Sequence, residues 1–95
     1  MGSIAAGSRQ VSFPIGHGEA MQFIEMSGRQ LLRLVTEGGP SPEELAQIGL
    51  KDDSVVRVNR QGDIELRRSD RWDLIGGLIG DFETRIKRET GLDWV

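Results

Sequence analysis

The sequence contains no cysteine and no tyrosine, and it has a single histidine, His17. Without cysteine the chain forms neither a disulfide nor a thiolate metal site, and it is compatible with a reducing compartment. No apolar run approaches the roughly 18 residues that a membrane span needs. We expect no signal peptide, because no basic segment near the N-terminus precedes an apolar one. These features predict a cytoplasmic protein.

The chain also lacks an excess of charge of one sign. It carries 12 Lys and Arg against 15 Asp and Glu, a formal net charge of −3, which indicates neither a basic nucleic-acid surface nor an acidic tail. Its 95 residues suit one domain, and a domain of this size buries only about 60% of its unfolded surface. We therefore expect one small domain that gains burial from a subunit partner, as a homodimer.

Groups that carry catalysis or bind metal ions are scarce. His17 lies between two glycines with only Glu19 nearby, a pattern typical of a solvated side chain. The carboxylates at residues 52–53, Asp63 and Glu65 fall in or beside expected turns, where carboxylates are usually solvated. The sequence has no phosphate-binding glycine motif. It predicts a protein that is not an enzyme and has no cofactor and no metal site.

The first half of the chain contains two local signals. Residues 1–20 suggest a flexible segment with a short edge strand at residues 10–15, followed by one domain at residues 21–95; Pro14 excludes a central strand position. Two apolar runs, MQFIEM and LLRLVT, flank Ser-Gly-Arg-Gln at residues 27–30, which predicts a first β-hairpin. Ser41-Pro42-Glu43-Glu44 is a capping box, and the short helix that it begins ends at Gly49.

The second half suggests another hairpin and a long helix. Residues 55–59 and 64–67 flank a turn that contains Gly62, and the second of these runs alternates apolar and polar side chains. From residue 69 to residue 91, large apolar side chains recur at intervals of 3, 4, 3 and 4, as on one face of an α-helix. Trp72, Ile75, Ile79, Phe82 and Ile86 form this stripe. The predicted fold is α+β: a small antiparallel sheet of two β-hairpins in the order ββα-ββα, with one short helix and one long amphipathic C-terminal helix.

Glycines inside the predicted long helix suggest a contact surface. Gly76, Gly77 and Gly80 each cost about 1 kcal/mol relative to alanine in a helix, so close packing must compensate. The packing partner is either a helix of another chain or the protein's own sheet. Trp94 similarly either enters the domain's own core or contacts another subunit. The candidate partner interface consists of Trp72, Leu74, Gly76, Leu78, Ile79, Gly80 and Trp94.

Arginines gather around the second hairpin. Arg57 and Arg67 are placed to share its exposed face, where they could contact phosphates. Glu65 lies between their positions, so cross-strand ion pairs explain the same pattern. The candidate nucleic-acid contacts are Arg29, Arg33, Arg57 and Arg67.

Residues 21–68 carry a resemblance to a known family. A Gly-Arg turn at residues 28–29 is followed by the short helix PEELAQ, the Ile-Gly-Leu stop at residues 48–50, and the hairpin segments VVRVN and GDIELRR. This order resembles the AbrB/MazE-type swapped-hairpin family. The resemblance implies an intertwined dimer that acts as a transcription regulator or as an antitoxin whose C-terminal extension binds a toxin.

The chain departs from that family's pattern in two places. Residues 35–41 lie between the strand that follows the Gly-Arg turn and Pro42, and the family's basic DNA-facing positions are represented only by Arg29 and Arg33. The sequence therefore predicts a small non-enzymatic binding module, dimeric and acting through protein–protein contacts, with its C-terminal helix toward a partner. The alternative is an AbrB/MazE-like DNA-binding regulator or antitoxin.

Overall fold

A computed structural model describes residues 11–12 and 22–94 of the chain. Residues 22–94 form an α+β structure in which four strands make an antiparallel sheet in chain order, and a two-residue strand extends it beside the first of them. The strands are β1 (Val11–Ser12), β2 (Phe23–Ser27), β3 (Val55–Asn59), β4 (Asp63–Arg67) and β5 (Trp72–Gly77). The helices are α1 (Gly28–Val35), α2 (Pro42–Ile48) and α3 (Phe82–Thr90).

Alternation along the strands separates the two faces of the sheet. Ile24, Val58 and Ile64 are paired across three strands and fully buried, so they face the helices. Leu31, Leu34 and Val35 of α1, Leu45 of α2 and Ile86 of α3 complete this core. The opposite side is called the outer face here. It carries Phe23, Glu25, Arg57, Glu65, Arg67, Trp72 and Leu74.

Helix α1 replaces the second strand of the first predicted hairpin, so that prediction is wrong. Ser27 ends β2 and caps α1: its hydroxyl accepts from the Gln30 N–H, and the Gln30 side chain accepts from the Ser27 N–H. Ser27 and Gln30 thus form a capping box within a sequence that also suits a turn. Leu31, Leu34 and Val35 then follow helical spacing, and their burial on the sheet decides the structure.

Helix α2 lies where the capping box predicts it. The Ser41 hydroxyl accepts from the Glu44 N–H, and Pro42 occupies the first turn. The helix ends at Gly49, whose φ of 108° is left-handed, and the Leu50 N–H donates to the Leu45 carbonyl at 3.0 Å. Strands β3 and β4 follow as an antiparallel pair.

The predicted helix at residues 69–91 is wrong over its first half. Trp72–Gly77 is β5, which pairs with β4, and only Phe82–Thr90 is helical, between an Asp81 N-cap and a Gly91 C-cap. Three glycines within five residues lower helix propensity there, and Gly80, with a φ of +85°, ends any helix that would start upstream. The observed order is therefore ββααβββα, and the predicted ββα-ββα order is not found.

The C-terminal segment closes the core, and Trp94 packs within its own chain. Its side chain is 4% exposed, its indole N–H donates to the Val58 carbonyl at 3.2 Å, and its ring meets Phe82 edge to face at 6.1 Å. Leu78 is buried in the same core. The predicted interface positions Leu78 and Trp94 are thus interior residues of this chain.

Strand β1 falls within the edge strand expected at residues 10–15, and it pairs antiparallel with β2. The other residues of the N-terminal segment, His17 included, lie outside the described residues. Within residues 22–94, no helix is long and apolar enough to cross a membrane. The described residues also contain no group of three or more His, Asp or Glu that could hold a metal ion.

Candidate protein-interaction site

Strand β5 is the last strand of the sheet, so one of its edges has no neighbouring strand among the described elements. In the turn that joins β4 to β5, the Arg68 N–H donates a hydrogen bond of 2.7 Å to the Arg71 carbonyl. Hydrogen-bonded and non-bonded pairs alternate along an antiparallel ladder. The N–H and C=O groups of Trp72 and Leu74 therefore point away from β4, toward the free edge.

The regular part of this edge, Trp72–Leu74, contains no lysine and no proline. Natural edge strands carry lysines, prolines or bulges that discourage the addition of another strand. Within Trp72–Gly77 the only ionised side chain is Asp73, which forms an ion pair of 2.9 Å with Arg68. A register shift against β4 makes Ile75 an extra residue, so the regular edge runs from Trp72 to Leu74.

Two aliphatic side chains at this edge are unusually exposed. Leu74 lies on the outer face with 64% of its surface accessible, and Ile79, just after the strand, has 66%. The next most exposed large apolar side chain in the described part of the chain is Val55, at 38% on β3. Exposed aliphatic surface of this kind commonly marks an interaction site.

A pocket of about 380 Å³ adjoins the same strand on the helix side of the sheet. It lies between α2, the loop after α1 and the C-terminal end of β5. Its lining is partly aliphatic and partly polar: the side chains of Pro40, Ile48, Ile75 and Ile79, the carboxylate of Glu44, and the glycines at 39, 76 and 77. A Cβ atom at Gly76 would lie 2.9 Å from the Pro40 ring, so glycine is needed for the loop to approach the strand this closely.

Arg85 of α3 holds two walls of this pocket together. Its guanidinium is buried and donates to the carbonyls of Leu34, Gly38 and Ile79. The loop after α1 and the segment after β5 are also joined directly, because the Ile79 N–H donates to the Gly38 carbonyl at 3.3 Å. These bonds connect the loop after α1, the segment after β5 and α3 beside the pocket.

An aromatic and arginine stack supports the outer face beside Leu74. The Arg57 guanidinium lies between Phe23 and Trp72, at 3.8 Å and 4.2 Å from the two ring centres. It also forms an ion pair of 2.6 Å with Glu65, and Arg67 lies 5.6 Å from the Trp72 ring. These contacts fix the Trp72 indole at the start of the free edge.

The structure brings together five of the seven predicted interface residues, for a different reason from the one predicted. Trp72, Leu74, Gly76, Ile79 and Gly80 lie along β5 and the turn that follows it, not along a helix. Both explanations offered for the glycines assumed that helix. Sequence reasoning missed the pocket residues Pro40, Glu44, Ile48 and Ile75, because no local signal shows that residues 39–48 pack against β5.

The four candidate nucleic-acid contacts lie in two separate places. Arg29 and Arg33 are on α1, where they form ion pairs with Asp52 at 3.9 Å and Glu89 at 2.8 Å. Arg57 and Arg67 are on the outer face, across the sheet from α1. The two pairs of arginines thus face opposite sides of the molecule.

Comparison with known protein families, curated proteins and solved structures finds no match to this chain.

Proposed function

We propose that this protein is a small non-enzymatic binding module that acts through protein–protein contacts at the free edge of β5. One observation carries the proposal: along β5 and the turn after it, outward backbone groups with no neighbouring strand among the described residues coincide with two exposed aliphatic side chains and a partly aliphatic pocket. Binding by strand addition uses these three features. Main-chain hydrogen bonds supply affinity, and pockets for alternate side chains supply specificity.

The proposal implies the chemistry of the segment that would bind. An extended strand that pairs with Trp72 and Leu74 presents alternate side chains to the outer face and to the helix side of the sheet. Those on the outer face pack against Leu74, and those on the helix side face the pocket between Ile48, Ile75 and Ile79. Glu44 lines the pocket and disfavours an acidic side chain there. The expected partner segment is therefore extended, aliphatic at alternate positions and neutral or basic beside the pocket.

The proposal includes a dimeric protein in the cytoplasm. A domain of this size gains stability when a partner covers exposed aliphatic surface, and a chain without cysteine loses no disulfide in a reducing compartment.

The alternative is an AbrB/MazE-like DNA-binding regulator or antitoxin, with Arg29, Arg33, Arg57 and Arg67 on phosphates. Their placement on opposite sides of the sheet, and the ion pairs that three of them form, favour protein binding over this alternative. Retention on duplex DNA that falls steeply as salt rises would instead support the regulator, because phosphate contacts release counterions.

A displayed library of short random peptides tests the proposal. The full chain is immobilised at low density, so that its copies do not meet, and the library includes this protein's own segment 70–77. We expect enrichment of alternating aliphatic peptides. A Leu74→Lys/Ile79→Lys double variant should bind them at least about tenfold more weakly, since it places charge at both apolar contacts. Both side chains are exposed, so the fold should persist.

Val55→Lys is the matched control, because it places the same charge at an exposed apolar position on β3. It should bind the selected peptides as the parent does. Peptides that bind the double variant as tightly as the parent would place the site elsewhere. A library that yields no enriched peptide would reject strand addition.

A further inference from the structure

We infer that the strand bound at the β5 edge is β5 of a second copy of this chain, related to the first by a two-fold axis beside Leu74. This inference rests on the proposed function and names its partner. Two-fold association is isologous: the same patch serves both copies, so each feature of the edge must complement itself.

The backbone of Leu74 is self-complementary about such an axis. Its N–H and C=O point toward the free edge, as shown by the alternation that starts at the Arg68–Arg71 bond. With the axis beside Leu74, these two groups bond to the same groups of the second copy. The register shift at Ile75 turns the Gly76 groups toward β4, so the regular cross-copy hydrogen bonds are the two at Leu74. The two sheets become one continuous antiparallel sheet.

The Leu74 side chains are also self-complementary about the two-fold axis. Residues directly opposite each other in a bonded antiparallel pair have Cα atoms about 5.5 Å apart and side chains on the same face. The two Leu74 side chains would therefore cover each other on the outer face. This contact removes from water a leucine that is 64% exposed in the single chain.

Electrostatic repulsion favours a two-fold axis at residue 74 over one at residue 73. Asp73 is the only ionised residue of β5. An axis at residue 73 would place the two Asp73 carboxylates opposite each other, and like charges in that position are destabilising. With the axis at Leu74, Asp73 lies opposite Ile75 of the second copy. Each Asp73 also keeps its ion pair with Arg68.

Disulfide formation by a single-cysteine variant tests where the two-fold axis lies along β5, because the chain has no cysteine of its own. Two Leu74→Cys residues at the axis would have Cα atoms within the roughly 4.4–6.8 Å range that a disulfide spans. We expect mild oxidation to convert this variant to a covalent dimer at least about tenfold faster than Ile79→Cys. Ile79 is equally exposed on the same patch but lies five residues from the axis.

Sedimentation of the full-length parent and of Leu74→Lys completes the test. The parent should be a dimer in the micromolar range, and Leu74→Lys a monomer, because the axis would bring two ammonium groups together. Segment 70–77 should be enriched in the peptide selection. A monomeric parent, or equal oxidation rates at positions 74 and 79, would overturn the inference. Selected peptides that differ from segment 70–77 and whose binding depends on Leu74 would then still support strand addition at β5. Failure of self-association is therefore distinguishable from failure of the proposed function.

Discussion

At the scale of single residues, the Arg85 side chain joins three segments that are distant in the sequence. It is 4% exposed, and its acceptors are backbone carbonyls from the end of α1, the following loop and the segment after β5. A buried carbonyl that loses its donor costs about 1–3 kcal/mol. Arg85 thus links α3 to both walls of the pocket.

Arg85→Met should lower the free energy of unfolding by about 1–3 kcal/mol, because the Ile79 carbonyl loses its donor while the carbonyls of Leu34 and Gly38 each keep a backbone N–H. Urea denaturation followed by circular dichroism measures this loss. Arg88→Met is the control on the same helix: Arg88 is exposed and pairs with Glu37 at 2.9 Å, so its loss should stay below about 1 kcal/mol. Equal losses for the two variants would show that the Arg85 bonds contribute little.

At the scale of elements, the sequence predicts what local signals determine. Helix α2 has a capping box, a proline in its first turn and a terminal glycine, and it forms where expected. The run LLRLV is short enough to suit a strand or a helix, and burial against the sheet makes it α1. The apolar stripe from Trp72 to Ile86 follows helical spacing, but pairing with β4 and the turn at Gly80 divide it into a strand and a helix.

Substitution of the capping serines distinguishes the predicted from the observed elements. Ser27→Ala should cost about 1 kcal/mol of stability, as should Ser41→Ala, because each hydroxyl accepts an N–H of the first helical turn. Ser69→Ala should be nearly neutral, since residue 69 lies in the β4–β5 turn and not at the start of a helix. Thermal unfolding of the three variants measures these effects. A neutral Ser27→Ala with a costly Ser69→Ala would favour the elements predicted from sequence.

At the scale of the whole molecule, sheet order determines the candidate site. The sequence predicts Leu74 and Ile79 as interface residues on a long helix, but Leu74 lies on the last strand of the sheet and Ile79 in the segment after it, where both are exposed. The pocket joins residues 39–48 to residues 75–79. That contact exists because α1, α2 and α3 all pack on one face of the sheet, which no sequence spacing determines.

Trp94 of the C-terminal segment belongs to the same core. Its substitution tests how much this segment contributes to the stability of the fold. Trp94→Ala should lower the free energy of unfolding by about 3–5 kcal/mol, a large share of the roughly 5–15 kcal/mol typical of a domain. The loss includes the indole bond to Val58 and the ring contact with Phe82. Trp72→Phe, a change at a half-buried ring on the outer face, should cost less.

Urea unfolding of Trp94→Ala at several protein concentrations separates the two roles that the sequence allowed for Trp94. Because Trp94 packs within its own chain, the stability difference from the parent should stay the same on dilution. A residue in the dimer interface behaves differently, since its contribution disappears when the copies separate. A difference that shrinks on dilution would therefore place Trp94 between subunits and require a binding surface larger than the edge of β5.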